Sequence, residues 1–469
     1  KSVIDIGSRA EMSPKDHLLF DEQEKMSVNP SYLNSTYFDE IYHGRTAYEF
    51  IKGSQVYETT HPPFGKDLLS LGILLFGMNP FGMRFMHAVT GILLVFTLFF
   101  LGREILATRF GAYATMLLGC LDFMPFVQSR YSTVDTTSVL LISLMFLFAF
   151  RFIREHEQGK KIVRPLSTLI FLFVCAGLAI AVKWTAVYGF AGVVFMFFVV
   201  KLRRFLAYRR ERSQLMATLK YHKAGSSKAK AIRGKADSLA RSFWKGDFLP
   251  TLLWALVIFL TITPLVYYLT YIPYLKCQGI DEVFSGSAFE AVLANQKGMY
   301  DYHSKLVATH PFASSWWSWP FNFKPLWIYS NSYSWPGMKG TIVSMGNPLI
   351  WLMGLLAVVV LGYQLLTFKG FSLMHLVFAG YLSLYLPWVL VSRITYIYHY
   401  YPPLPFVLVM SAFILEPLWK LGIKGKRLIY GFLIASLVLL IVFYPALSGL
   451  EVPQGYINIL RWFPRDWSF

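Results

Sequence analysis

Ten runs of roughly 20 apolar residues divide this chain, and they leave it little choice of fold. In the hydrocarbon of a bilayer no water is present to satisfy a peptide group. Only a structure that closes its own backbone hydrogen bonds, which for single apolar runs means an α-helix, can cross. The runs fall at residues 81–101, 110–127, 134–152, 165–182, 186–201, 248–272, 348–367, 372–391, 401–418 and 427–446. The expected fold class is therefore an all-α polytopic membrane protein.

Composition agrees. Of 469 residues, 55% are hydrophobic and 15% charged, and the mean hydropathy is +0.47. An aromatic share of 17% suits side chains that fill lipid-facing surfaces and anchor them at the interfaces. The net charge of +18 raises the question of nucleic acid, which the position of the charge answers. Residues 201–247 carry 14 Lys or Arg against three acids, a net +11 held between two apolar runs and unaccompanied by any aromatic-rich binding module. That pattern marks a cytoplasmic loop touching membrane lipids, and no nucleic-acid partner is expected.

With 201–247 inside, counting crossings in both directions puts the basic residues Arg103, Arg109, Arg154, Lys160, Lys161, Arg164, Lys369, Lys420, Lys424, Lys426 and Arg427 inside as well. Segments 1–80, 128–133, 273–347, 392–400 and 447–469 fall outside. An even number of spans with both ends outside implies a further span before Lys1, making about eleven. Cys120, Cys175 and Cys277 show neither disulfide framework nor metal-ligand spacing. The expected organisation is an outer segment 1–36, a first outer loop with an interfacial helix over 37–80, spans over 81–272 with the basic loop 201–247, a large outer loop 273–347, spans over 348–446, and an outer tail 447–469.

The outer segments hold the polar chemistry. Adjacent carboxylates Asp39 and Glu40 repel and lose solvation at a membrane surface, which raises the pKa of one and suits it to act as a base; a solvated acidic turn is the structural alternative. His61-Pro62-Pro63 forces an extended approach to an apolar stretch, Phe64 to Phe76, of interfacial character, where Lys66 either snorkels to bulk head groups or holds the phosphate of a specific lipid. Arg130, in a short outer turn, runs against the positive-inside bias and needs a partner, either Asp135 or a lipid phosphate. Lys183, Arg393 and His399 repeat the argument, so that several basic sites gather on one face as a phosphate site. In 273–347, Tyr302 and His303 precede a cluster of Trp316, Trp317 and Trp319, which is either an interfacial belt or a wall that stacks on a sugar or lipid chain. Asn322 and Asn347 read as caps or turns.

The ordered strings Phe38-Asp39-Glu40, His61-Pro62-Pro63-Phe64-Gly65-Lys66, Ser129-Arg130 with Asp135, Lys183-Trp184, Tyr302-His303, Trp316-Trp317-Ser318-Trp319-Pro320, Gly346-Asn347-Pro348, Tyr398-His399-Tyr400 and Trp462-Phe463-Pro464-Arg465-Asp466-Trp467 resemble the protein O-mannosyltransferase family, in the GT-C class of glycosyltransferases. The resemblance implies a GT-C transmembrane bundle of eleven spans whose extracytoplasmic loops carry the active site. It implies inverting transfer of mannose from a polyprenyl-phosphate carrier to Ser or Thr hydroxyls of a protein at the outer face of a bacterial plasma membrane. Asp39 then stands as the base with Glu40 beside it. Arg130, Lys183, Arg393, His399 and Lys66 stand as donor-phosphate ligands. His61, Asp135, Tyr302, His303, Trp316, Trp317, Trp319 and Tyr400 stand as substrate-binding groups.

No cofactor is required by this scheme, although two carboxylates and a phosphate would also suit a divalent cation at Asp39 and Glu40. The roughly 75 residues of the large outer loop are too few for the β-trefoil module of eukaryotic members. Residues 1–36 have no counterpart in the family pattern and are read as the end of an inserted outer domain. A GT-C transferase acting on a glycan or lipid shares the donor chemistry. A lipid-linked-sugar transporter is disfavoured, because the polar residues gather on one face and no paired, broken spans mark two related halves.

Overall fold

The computed structural model describes residues 30–157, 166–367, 370–463, 466, 467 and 469. The expectations for residues 1–29 and for Lys160, Lys161, Arg164, Lys369 and Arg465 lie outside the described residues.

Each of the ten apolar runs coincides with helical structure. After the outer helices α1 (Glu40–Lys52) and α2 (Phe64–Phe76) come α3 (Pro80–Leu106), α4 (Arg109–Leu121), α5 (Phe123–Gln128), α6 (Asp135–Glu157), α7 (Leu166–Val182) and α8 (Ala186–Thr218). Helix α9 (Ser227–Arg241) leads through a π-helical turn, Ser242–Phe248, into α10 (Leu249–Leu269). Two outer helices, α11 (Ile272–Cys277) and α12 (Gly286–Lys305), precede α13 (Pro348–Thr367), α14 (Leu373–Tyr385), α15 (Leu404–Lys420), α16 (Ile423–Ser448) and the short α17 (Gln454–Leu460).

Among the described residues, seven helical stretches are long and apolar enough to cross a membrane. The remaining runs differ for identifiable reasons. Helix α7 is apolar but has only 17 residues. The run over 110–127 is broken in two at buried Asp122, whose carboxylate accepts the N–H of Met124 at 3.0 Å and of Asn347 at 3.1 Å. A side chain that bonds the backbone across a helix end stops the helix there. Helix α15 has only 17 residues and lies in the middle of the bundle, with Phe406, Val409 and Met410 fully buried and the Phe406 ring edge-on to Phe146 of α6 at 4.7 Å.

Two expected loops are folded. The basic segment 201–247 is a helical hairpin: α8 runs for 33 residues, about 50 Å, and α9 packs back against it. The outer segment 273–347 carries α11, α12, a 3₁₀ helix Trp316–Phe321, and strands β1 (Leu326–Ser330), β2 (Met338–Lys339) and β3 (Thr341–Ser344). Strands β1 and β3 pair antiparallel, while β2 pairs with β4 (Val452–Pro453) of the C-terminal segment. Trp467, buried, donates its indole N–H to the carbonyl of Asn322 at 3.1 Å, so the chain end is tied to the same layer. At Gly346, an added Cβ would lie 1.8 Å from the Trp351 ring, which makes glycine the residue that fits where this layer meets α13. These pieces form a cap over one end of the bundle, and the site lies beneath it.

Candidate active site

Asp39 sits where two backbone requirements meet. It precedes the first turn of α1 without capping it through its side chain, and Phe38, just before it, holds φ at 54°. A bulky residue in the left-handed region is strained, and such strain persists where the surroundings fix it. Here the Phe38 ring packs edge-on against Tyr131 at 6.3 Å. The consequence is that consecutive carboxylates point to different places.

Glu40 is fully buried and bonded on both oxygens. Arg84 of α3 donates Nε to Oε1 and Nη2 to Oε2, each at 2.7 Å, and the N–H groups of Ser132 and Tyr37 add bonds of 2.9 and 3.1 Å. An arginine one turn inside a span needs such a carboxylate. Glu40 thus has no lone pair left over for a catalytic role or for a cation shared with Asp39, and the expectation that the two work as a pair is corrected.

Among the described residues Asp39 has no such partners. Its side chain lines a cavity of about 190 Å³ together with Tyr42, His43, Glu58, His61, Asp135, Lys183, Tyr302, His303, Arg393, Tyr398 and His399. Burial pushes its pKa up to about 6; Asp135 and Glu58 act in the same direction, and His61 and Lys183 oppose. Through Thr60, His61, Lys183, His303, Leu306 and Arg393, this chamber shares its wall with a larger one of about 530 Å³. The larger chamber also has an apolar side, formed by Trp184, Tyr188, Val307, Trp388, Leu390 and Val391.

The basic groups divide into those that face the chambers and those that do not. Lys183, at the turn between α7 and α8, pairs with Asp135 at the start of α6 at 2.7 Å and lines both chambers. Asp135 therefore belongs to Lys183, not to Arg130. Arg393 lines both chambers and has no hydrogen-bond or ion-pair partner among the described residues. Arg130 lines neither: its guanidinium donates to the carbonyls of Leu447 at 3.2 Å and Ser448 at 3.3 Å and lies over the Phe126 ring. A cation there satisfies the end carbonyls of α16, where the helix dipole is negative. Lys66, expected at head-group depth, is 1% exposed. Its ammonium is spent on Glu58 Oε2 at 2.5 Å and on the carbonyls of His61 and Glu58 at 2.9 and 3.1 Å. Neither Arg130 nor Lys66 is placed to hold a ligand's phosphate.

Glu58 and His43 sit behind His61. Burial would raise the Glu58 carboxyl, but Lys66, His61 and His43 together hold it well below the usual range, so it is ionised. It accepts from His61 Nδ1 at 3.1 Å; since a carboxylate only accepts, that nitrogen carries the proton and Nε2 is the one left to the chamber. His303 anchors its Nε2–H on the carbonyl of Thr60 at 2.8 Å and is kept neutral, its pKa lowered to about 4 by burial and by His61. Burial likewise holds the His399 imidazole neutral.

The tryptophans divide similarly. Trp319 is fully buried, bonds Ser314 through its indole at 3.0 Å, and stacks on His399 with ring centres 5.8 Å apart. Trp316 packs on Tyr385, and Trp317 is 54% exposed; none of the three lines a chamber. Tyr400 is buried, its hydroxyl 3.1 Å from that of Tyr381, and its neighbour Tyr398 takes the chamber wall instead. The aromatic wall expected of the cluster is supplied by Trp184, Trp388 and Tyr398. Sequence reasoning passed over Glu58, Arg84 and Trp388. An arginine inside a span was the one available signal, for Arg84; nothing marks Glu58 beyond its position three residues before His61.

A bundle of apolar helices whose free ionisable groups converge beneath a cap at one end, beside a hollow with one apolar wall, has the architecture of the GT-C transferases. The comparisons with known proteins agree. Residues 60–217 match the family model for dolichyl-phosphate-mannose-protein mannosyltransferase, and residues 288–467 match that for the C-terminal four-span region of protein O-mannosyltransferase. The polyprenol-phosphate-mannose–protein mannosyltransferase of Mycolicibacterium smegmatis is 25% identical, over 93% of this chain and 88% of its own. Its counterpart from Corynebacterium glutamicum is 23% identical over 86% and 81%. Among solved structures, the Saccharomyces cerevisiae Pmt1–Pmt2 complex bound to the sugar donor superposes with a TM-score of 0.65 at 12% identity, over 93% of this chain and 90% of that one. ArnT from Cupriavidus metallidurans in the apo state gives 0.53 at 13%, over 88% and 61%. The chain belongs to the protein O-mannosyltransferase family.

Proposed function

We propose that this enzyme transfers mannose, with inversion, from a polyprenyl-phosphate carrier to Ser or Thr hydroxyls of proteins, and that Asp39 is the base. The observation that carries this reading is the single unpaired carboxylate, raised to about 6, in a chamber it shares with the unpaired Arg393. A serine hydroxyl is a poor nucleophile until its proton is accepted. A carboxylate ionised at neutral pH but more basic than usual does that during attack, and the oxygen displaces the phosphate at the anomeric carbon from the opposite face. The leaving group is a phosphate monoester, which needs charge stabilisation more than protonation. Arg393 and Lys183 supply it; Trp184, Tyr188, Trp388 and Leu390 give the first isoprenes an apolar surface to run along.

The scheme calls for no metal: Glu40 is committed to Arg84 and does not share a cation with Asp39, and the cationic side chains do the electrostatic work. The chamber lies at the helix ends opposite the basic hairpin, so the positive-inside rule puts it on the extracytoplasmic side, here of a bacterial plasma membrane. The test is incubation of purified enzyme with radiolabelled polyprenyl-phosphate mannose and a Ser/Thr peptide. Label in the peptide is expected. Label in a lipid or glycan instead would give the chemistry a different acceptor, and carrier movement without sugar release would replace the transferase reading with transport.

A further inference from the structure

The helices that build the chamber carry a second polar cluster at their other ends. Helix α6 begins at Asp135 in the chamber wall and brings His156 to the opposite side 21 residues later, about 31 Å at 1.5 Å per residue, the thickness of a hydrocarbon core. There Lys201 of α8, 3% exposed, and His156, 8% exposed, both bond the Asp247 carboxylate; Arg204 joins it at 2.9 Å. Lys201 Nζ also lies 2.7 Å from His156 Nε2 and 3.3 Å from the Thr251 hydroxyl. One aspartate thus answers both a lysine and an arginine, which leaves the cluster short of one negative charge. His156 Nδ1 is buried and has no hydrogen-bond partner.

Two hollows flank this cluster. One, of about 280 Å³, lies between α6, α7, α8 and α10 and is lined by Phe152, Leu172, Phe197, Leu256 and other apolar side chains, with His156 and Lys201 as its only polar lining groups among the described residues. The other, of about 430 Å³, runs along α8 under the π-helical turn and is walled by Phe205, Phe243, Trp244 and Phe248. Both hollows share Phe198 and Lys201, so one ammonium stands at the junction of two apolar grooves. Beyond it the hairpin adds Arg209, Arg210, Arg212 and Lys245, part of the +11 of this segment.

We propose that this is a binding site for one anionic phospholipid of the leaflet opposite the chamber. One acyl chain occupies the 280 Å³ hollow and the other lies along the aromatic groove. The phosphodiester rests on the partly exposed Arg204 guanidinium, while Lys201, its three donors taken by Asp247, His156 and Thr251, adds its charge from behind. The match is between a head group with one negative charge and two tails, and a cationic cluster short of one negative charge with two apolar grooves. A zwitterionic lipid brings its own cation to the same place and is disfavoured by it. Bound there, the lipid would clamp the root of the basic hairpin to the bundle. The inference rests on the helices crossing a membrane and is independent of the acceptor and of the base.

The test is native mass spectrometry and thermal melting of the full chain in mild detergent, titrated with phosphatidylglycerol or with phosphatidylcholine of the same acyl chains. Leu256→Trp, which fills the first hollow from its exposed side, and Arg204→Gln, which removes a charge from the head-group end, are measured alongside. The expected result is one phosphatidylglycerol retained per chain with a rise in melting temperature. Retention should be weaker by about tenfold or more in each variant, while the lipid-free melting temperature of Leu256→Trp and its rate of sugar transfer stay unchanged. Equal retention of the two lipids, or retention unaltered by Leu256→Trp, would reduce the site to ordinary boundary lipid and overturn the proposal. Displacement of phosphatidylglycerol by an equimolar polyprenyl phosphate would overturn it in favour of a carrier site.

Discussion

Arg84 of α3 and Glu40 of α1 face each other through two hydrogen bonds of 2.7 Å, and the pair ties the first outer helix to the membrane bundle. Because Glu40 is fully buried, removing either partner strands a charge. Glu40→Gln and Arg84→Met are each expected to cost about 3–5 kcal/mol and to lower both yield and melting temperature in detergent. Transfer should fall with the folded fraction. A Glu40→Gln enzyme that melts normally yet transfers nothing would return Glu40 to the chemistry.

Asp39→Asn should behave in the opposite way. The fold holds this carboxyl at about 6, above its ordinary value, so ionised Asp39 destabilises the native state. The favourable contribution of its protonated form is fully present below the unfolded pKa near 3.9 and is lost as pH rises through about 6. At pH 7.5 the amide variant should therefore be as stable as the parent or more so, by roughly 1–2 kcal/mol after allowance for cavity water, while transfer is abolished.

The pH profile of the parent enzyme follows from the same shift. A base works only when ionised, so kcat/KM should climb about tenfold per pH unit below about 6 and level off above it. A profile flat down to pH 4.5 would mean that Asp39 ionises like an exposed aspartate and that its burial has no kinetic role.

Arg393 and Lys66 separate binding from folding. Arg393→Ala removes a cation with no partner of its own among the described residues. It should raise KM for the lipid donor by about 10–100-fold, the worth of a charged hydrogen bond, with no change in melting temperature. Lys66→Met breaks the buried pair with Glu58 and should cost about 3–5 kcal/mol of stability, leaving the donor KM of the surviving fraction unaltered.

Arg130→Ala belongs with Lys66. The carbonyls of Leu447 and Ser448 lose their cation, so a destabilisation of about 1 kcal/mol is expected without a change in donor KM. A raised KM at unchanged stability would put Arg130 back among the phosphate ligands.

Much of this molecule can be read along the chain, because the hydrocarbon core imposes a length and an apolarity on every segment that crosses it. That is why Pro80–Leu106, Pro348–Thr367 and Ile423–Ser448 are legible as apolar runs, and why the sequence alone assigns Asp39, Lys183 and Arg393 to one face. Asp122 is the exception among the spans. Whether one carboxylate breaks a helix depends on Asn347, 225 residues away, offering its N–H. The same holds for the polar residues as a group. Sequence establishes that Glu40, Lys66, Arg130 and Asp135 must each find a partner in a medium where an unpaired charge is costly, but not which one. Only the packing of α1, α2, α3, α6, α7 and α16 joined Glu40 to Arg84, Lys66 to Glu58, Arg130 to the end of α16 and Asp135 to Lys183. A charge that finds its partner within the fold is structural, and one left facing a cavity is free for chemistry. That division is a property of distances between segments remote in sequence, and it is what leaves Asp39 and Arg393 to the substrate.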